Sequence, residues 1–276
     1  MNISTWLKHA AEHLKNAGIT SAQLDAELLL ANTLRKNRTY LHAHLDKDVD
    51  PRRVDIAEAR LSLRLDRVPL AYILGKKEFY GREFDVSPSV LVPRPESEEM
   101  INMLLKLAPQ DNQPRTLIDV GTGSGCLGIT AALELPDNWH IVLSDISPKA
   151  LSVAEKNAKK LDAKVFTQKQ SLLLGQFEKL DCILANLPYV DKDWKNTSPE
   201  LRHEPPEALY AGEGGLKLIR ELIQQAPKHM TNQGLLFIEA DEEQHQTIVA
   251  FGNQNGFLHL ETSGLIVALR FVGTER

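Results

Sequence analysis

The spacing of apolar residues changes character along the chain. Trp6, Ala10, Leu14 and Ala17 recur at helical spacing, and Gly18 stops the run. Thr20 or Ser21 is placed to cap a second helix with Leu24, Leu28, Ala31 and Leu34 on one face. Asp50-Pro51 is a cap followed by proline at the first helical position, and Val54, Ala57, Leu61 and Leu65 share the face that follows. Helices this short do not persist singly, so the pattern predicts a small bundle with Trp6 in its core.

The texture changes near Pro69. Phe79-Tyr80-Gly81-Arg82-Glu83-Phe84 predicts a hairpin, with Gly81-Arg82 as a two-residue II′ turn. Beyond Pro93-Arg94-Pro95-Glu96-Ser97-Glu98 a helix carries Ile101, Leu104 and Leu105 on one side; its early acids suit the helix dipole or serve a site. From Thr116 strands and helices alternate. Strands are predicted at 117–120, 140–145, 164–166, 180–185 and 235–238, with a closing antiparallel hairpin at 258–260 and 265–269 around Ser263-Gly264. Such alternation means a parallel sheet covered by helices on both faces, with ligands beyond the carboxyl ends of its strands.

Composition narrows this without redirecting it. The 276 residues suffice for two domains. The formal net charge of -5 argues against broad binding to a nucleic-acid backbone. Cys126 and Cys182 form neither a disulfide framework nor a metal-ligand pair, which suits a reducing cytoplasm. The N-terminal residues lack a signal-peptide layout, and no segment approaches the ~20 apolar residues of a membrane span. His203-Glu204-Pro205-Pro206-Glu207 has glutamate where a zinc helix needs its second histidine, so no metal is assigned.

Asp119-Val120-Gly121-Thr122-Gly123-Ser124-Gly125 closes the 117–120 strand. A dinucleotide fingerprint would want glycine at Cys126, and a phosphate loop counted from Gly123 puts Ile129 where lysine belongs. Nothing basic is placed to meet a polyphosphate. Asp145 ends the next strand, at the distance of an acid that holds a ribose diol; the competing reading is a cap for the helix at Ser147-Pro148. A nucleoside without phosphates, such as S-adenosylmethionine, fits both clues, with Asp119 either orienting the loop or reaching the ligand's amino-acid end.

The strand at 180–185 ends in Asn186-Leu187-Pro188-Tyr189. This stretch resembles the N-P-P-Y motif of methyltransferases that alkylate planar nitrogen. Such a nitrogen has a delocalised lone pair and is a poor nucleophile; two oxygen acceptors can grip its hydrogens and aim it at an activated methyl. Here Leu187 replaces the first proline and keeps the backbone carbonyl. Further stretches occur in order: Pro69 to Gly75, Phe79-Tyr80-Gly81, Val92-Pro93-Arg94-Pro95-Glu96, the glycine turn, and Glu204-Pro205-Pro206-Glu207-Ala208-Leu209. With the helical N-terminal part, they resemble the release factor glutamine methyltransferases, the HemK or PrmC family, over nearly the whole chain.

That resemblance implies a helical bundle at 1–68, a linker with the hairpin at 69–92, and a seven-stranded Rossmann-like methyltransferase domain at 93–276. It implies S-adenosylmethionine as cofactor, held by Asp119, Gly121, Thr122, Gly123, Ser124, Gly125, Asp145 and Asn186, with Leu172 or Leu173 beside adenine. It implies Asn186 and Tyr189 as catalytic residues, and Asn186, Leu187, Pro188 and Tyr189 as the grip on the glutamine of the Gly-Gly-Gln loop in class I peptide chain release factors. A cytoplasmic monomer is expected, with neither membrane nor direct nucleic-acid contact. Residues 191–215 read as a lid or as a linker. The rival readings are an adenine or guanine methyltransferase of nucleic acid, and a non-catalytic adaptor that binds a translation factor.

Overall fold

Three side-chain caps start the first helices. Asn2 accepts from the Thr5 amide at 2.8 Å and opens α1 (Ile3–Asn16). α2 (Ala22–Leu34) follows, then Asn37 caps α3 (Arg38–Ala43) by accepting from the Tyr40 amide at 2.9 Å. Asp50 caps α4 (Pro51–Leu65), and α5 (Leu70–Leu74) ends at the left-handed Gly75. The computed structural model describes residues 1–176, 178–194 and 198–273. They divide into two units: Met1–Gly75 with Ser198–His203, and the remainder.

The helical unit has its own core around Trp6, Leu14, Leu29, Leu30 and Leu41. Its α2 is turned differently from the expected face. Ser21 stands at the N-cap but makes no side-chain cap bond, and Leu24 is 42% exposed while Asp25 and Glu27 are buried. Ion pairs accompany the change: Asp25 accepts from Arg64 Nε at 2.7 Å, both of them buried, and Glu27 lies 2.6 Å from Arg38, whose side chain stays half exposed. Arg64 also reaches Glu200 at 3.0 Å, with Arg67 3.4 Å from the same carboxylate; Ser198–His203 is thereby part of this unit. Burial pushes Glu200 up, but hydrogen bonds from Ser198 and Arg64 outweigh it and hold the carboxyl at about 2.

The second unit begins with the hairpin β1 (Lys76–Phe79) and β2 (Arg82–Asp85). Phe79 pairs with Arg82, so the loop is Tyr80-Gly81 and not Gly81-Arg82. Both loop residues have positive φ, 50° and 71°, which makes a type I′ turn. Tyr80 tolerates that conformation because its amide donates to Glu98 Oε1 at 2.8 Å.

After α6 (Glu98–Leu107) come β3 (Arg115–Val120), α7 (Cys126–Glu134), β4 (Trp139–Asp145), α8 (Pro148–Lys160), β5 (Phe166–Lys169), β6 (Leu180–Ala185), α9 (Lys217–His229), β7 (Met230–Glu239), α10 (His245–Gln254), β8 (Phe257–Ser263) and β9 (Ile266–Phe271). The seven strands pair in the order β5-β4-β3-β6-β7-β9-β8, parallel except for β9, which runs antiparallel to β7 and β8. This is the expected α/β architecture. β5 lies two residues beyond its predicted start, at the sheet's edge, and none of its side chains is buried.

Side-chain alternation assigns the faces. Leu117, Ile141, Leu143, Cys182, Leu184, Leu235 and Phe237 pack with α6, α7 and α8; Ile118, Val142, Ile183, Leu236 and Ile238 pack with α9 and α10. No helix among the described residues is long and apolar enough to cross a membrane.

Candidate active site

Continuing that alternation beyond the strand ends puts Asp119, Asp145, Asn186 and Glu239 on one face, the α6–α8 side. Register makes them neighbours. Val120 pairs with Ser144 on one side and Ala185 on the other, and Ala185 pairs with Ile238. Chain order reverses beside β3, the place where open parallel sheets bind ligands.

The glycine turn is built by its own backbone. Gly121, Gly123 and Gly125 have φ of 72°, 56° and 84°, open to glycine and strained for other residues. The Gly121 and Thr122 amides donate to the Ser144 carbonyl at 2.8 and 2.9 Å, tying the turn to β4. Asp119 is buried beneath it, accepting from Thr122 Oγ1 at 2.6 Å and from the Gly128 amide at 2.9 Å. Burial pushes its carboxyl up to about 6 against those two hydrogen bonds, and the nearby Asp145 charge adds to the rise. Asp119 is thus the turn's internal anchor as well as part of its wall.

Asp145 accepts from the Gly123 amide at 3.0 Å and the Ser147 amide at 2.8 Å. The cap of α8 is Ser147, whose hydroxyl accepts from the Ala150 amide, so Asp145 is left free of that duty. Its carboxylate lines a cavity of about 790 Å³, open solvent at the mouth included. Asp119, Gly121, Thr122, Gly123, Ser124, Asn186 and Pro188 line the same space.

Other predicted residues stand behind that wall. Gly125 is the αL residue that starts α7, where a Cβ would meet Ile129 and Ala154. Leu187 points to the opposite face and is buried in the α9–α10 core, with its Cδ2 3.1 Å from where a Cβ on Gly121 would lie. Strand alternation therefore explains why leucine is accepted here: the side chain serves the core, and the carbonyl is independent of it. Tyr189 packs against the same core, with its hydroxyl 3.4 Å from Glu239 Oε1. Burial and then the Glu239 charge push that phenol up. Leu172 and Leu173 belong to the α9–α10 core and are absent from the cavity wall among the described residues. Ile146, 64% exposed, lines it instead.

The residues carry comparison with known proteins. Residues 5–75 match the family described as PrmC N-terminal domain, and residues 99–255 match the methyltransferase small domain. A release factor glutamine methyltransferase of Coxiella burnetii is 35% identical over 260 residues, covering 93% of this chain and 92% of its own length. Another from Koribacter versatilis is 37% identical over 246 residues, covering 87% and 86%. The chain belongs to the release factor glutamine methyltransferase family. A solved methyltransferase from Pyrococcus furiosus shares the fold, with a TM-score of 0.53 at 16% identity over 76% of this chain and 98% of that one.

Two of the stretches singled out in the sequence, 92–96 and 204–209, meet in space. Glu204, buried, accepts from the Val92 amide at 2.9 Å and from Arg94 at 2.5 Å. Pro93, Arg94, Pro205, Glu207 and Ala208 then contribute to the cavity wall. Sequence reasoning gave this pair no role. It also passed over Asn157 of α8, whose side chain accepts from the Asp85 amide at 2.7 Å and donates to the Ser124 carbonyl at 2.8 Å, joining hairpin to glycine turn. Gly128 went unassigned as well; a Cβ there would overlap Leu143 and lie 2.9 Å from Asp119 Cβ. Residues 191–215 include two short 3-10 turns, Pro199–His203 and Pro206–Ala208, and Val190 bridges to Tyr210. Residues 195–197 of that stretch lie outside those described.

Proposed function

We propose that this chain transfers a methyl group to the side-chain amide nitrogen of a glutamine in the Gly-Gly-Gln loop of class I peptide chain release factors, with S-adenosylmethionine as donor. One observation carries the reading within the family: Asn186 and Asp145, at the ends of β6 and β4, face one cavity with the glycine turn of β3 between them.

The residues present suit the donor. A left-handed glycine turn presents bare backbone, Asp145 offers a carboxylate to a ribose diol, Ile146 offers an apolar surface to a base, and no cation waits for a polyphosphate on that turn. When bound, S-adenosylmethionine supplies a methyl on positively charged sulfur. Asn186 Oδ1 and the Leu187 carbonyl accept the two amide hydrogens of the substrate, which orients its nitrogen and enriches it in electron density. Pro188 shapes the slot, and Tyr189 supports it from behind. Alignment of this kind supplies roughly 7–11 kcal/mol of a barrier. An N-methylated, still protonated amide is acidic enough to give its proton to water, so the scheme asks for no general base.

The test is incubation of the chain with radiolabelled donor and, separately, a release factor, DNA and RNA. Label on the release factor, mapped to one methyl on the Gly-Gly-Gln glutamine, is expected. Label on nucleic acid alone, or none on any substrate, would overturn the reading.

A further inference from the structure

Behind Asn186 lies a carboxylate that the scheme above does not use. Glu239 ends β7, in register beside Asn186, and is only 1% exposed. Its Oε2 is buried and meets no donor at full hydrogen-bond geometry, while Tyr189 Oη stands 3.4 Å from Oε1. Ser97, also buried, lies between: Asn186 Nδ2 donates to Ser97 Oγ at 3.1 Å; burial pushes the Glu239 carboxyl up, and Ser97, Tyr189 and Asn186 offset part of that rise. Glu239 stands outside the residues that line the cavity.

A carboxamide has two faces of similar shape and opposite function. For Asn186 to grip a substrate amide, its oxygen must face the cavity and its NH₂ must face inward. Nothing in Asn186 itself enforces this. An ionised carboxylate accepts hydrogen bonds and donates none. In its ionised form Glu239 can therefore only accept the single hydrogen of the Ser97 hydroxyl, which leaves Ser97 as the acceptor toward Asn186 Nδ2 that the structure has. A reversed Asn186 would turn its oxygen toward two groups with no hydrogen to offer.

Resting on the proposed glutamine methylation, we infer that Glu239 is a positioning residue: through the Ser97 hydroxyl it fixes the orientation of the Asn186 carboxamide, so that the oxygen and not the NH₂ faces the substrate. The relay runs from Asn186 NH₂ to Ser97 Oγ and from Ser97 O–H to Glu239. Glu239→Gln keeps the size and removes the constraint, because its amide can donate to Ser97 and let the relay run in reverse.

Two readouts separate this inference from the reading beneath it. The first uses no substrate. In the ¹⁵N spectrum of the full chain, the Asn186 side-chain NH₂, assigned by its loss in Asn186→Ala, is expected to exchange slowly with solvent in the native chain and at least about tenfold faster in Glu239→Gln. The second is single-turnover methylation of a release factor. Glu239→Gln is expected to lower the maximal rate about 100-fold, with donor affinity and substrate KM nearly unchanged. In an Asn186→Ala background the same substitution should change the residual rate less than about twofold, since its target is gone. Ser97→Ala, which leaves Glu239 in place, should reproduce the loss and serves if Glu239→Gln does not fold. Unchanged exchange of the Asn186 amide, or an undiminished rate effect without Asn186, would overturn the relay. A native chain that methylates no release factor while Asn186 still shows protection that depends on Glu239 would refute the function and leave the relay standing.

Discussion

Removing the Glu204 carboxylate should loosen the wall of the cavity. Its two oxygens satisfy the Val92 amide and the Arg94 guanidinium, and its side chain is 1% exposed while that of Arg94 is 34% exposed. Breaking a buried ion pair costs about 3–5 kcal/mol when the remaining charge stays buried. Arg94 keeps a third of its surface in water and can partly resolvate, so Glu204→Ala should cost about 2–4 kcal/mol, including the orphaned Val92 amide. Glu204→Gln retains an acceptor for Val92 and loses the charge, for about 1–2 kcal/mol. Urea unfolding followed by tryptophan fluorescence measures both, and calorimetry measures S-adenosylmethionine binding. Donor affinity should fall with Glu204→Ala because Pro93, Arg94 and Pro205 border the cavity. A Glu204→Ala variant within about 0.5 kcal/mol of the native chain, with unchanged donor affinity, would refute the clamp.

Asp145→Ala should weaken donor binding by at least about 1.5 kcal/mol, the value of hydrogen bonds to a charged group, and calorimetry would show no change if the ribose assignment is wrong. Asp119 is raised from 3.8 to about 6, so the folded chain holds that proton more tightly than the unfolded one. Its contribution is most favourable below pH 3.8 and is lost as pH rises through 6. The stability of Asp119→Asn relative to the native chain should therefore rise by about 2 kcal/mol between pH 4 and pH 7, and a flat difference would contradict the burial argument. Glu200 runs the other way. Lowered from 4.5 to about 2, it stabilises the helical unit above pH 4.5, and that contribution fades as pH falls through 2. Glu200→Gln should cost about 1–3 kcal/mol at pH 7 by thermal unfolding and less than about 0.5 kcal/mol at pH 2; equal cost at both would refute the Arg64–Glu200 pair.

What the sequence made legible was local. Glycines that need positive φ, an acid ending β4 and an asparagine ending β6 all announce themselves within a few residues. The alternation of strand and helix gave the parallel sheet because each element carries its own period. What escaped needs a distant partner. Glu204 finds the Val92–Arg94 stretch about 110 positions away, and Asn157 finds Asp85 72 positions away. The face of α2 was misjudged because Asp25 and Glu27 pair with Arg64 and Arg38, which no local pattern announces. The I′ turn was missed because Tyr80 takes a left-handed conformation, supported by the hydrogen bond its amide donates to the distant Glu98. Glu239 was within reach. It ends the apolar run Leu235-Leu236-Phe237-Ile238 just as Asn186 ends its own, and the same signal read twice would have paired them.

The most direct measurement is a crystal structure of the chain with S-adenosylhomocysteine and a peptide bearing the Gly-Gly-Gln sequence. The glutamine side-chain nitrogen is expected within hydrogen-bond reach of both Asn186 Oδ1 and the Leu187 carbonyl, with the ribose on Asp145. A glutamine bound away from Asn186, or a nucleoside lodged elsewhere than beside the turn of Gly121, Gly123 and Gly125, would contradict it.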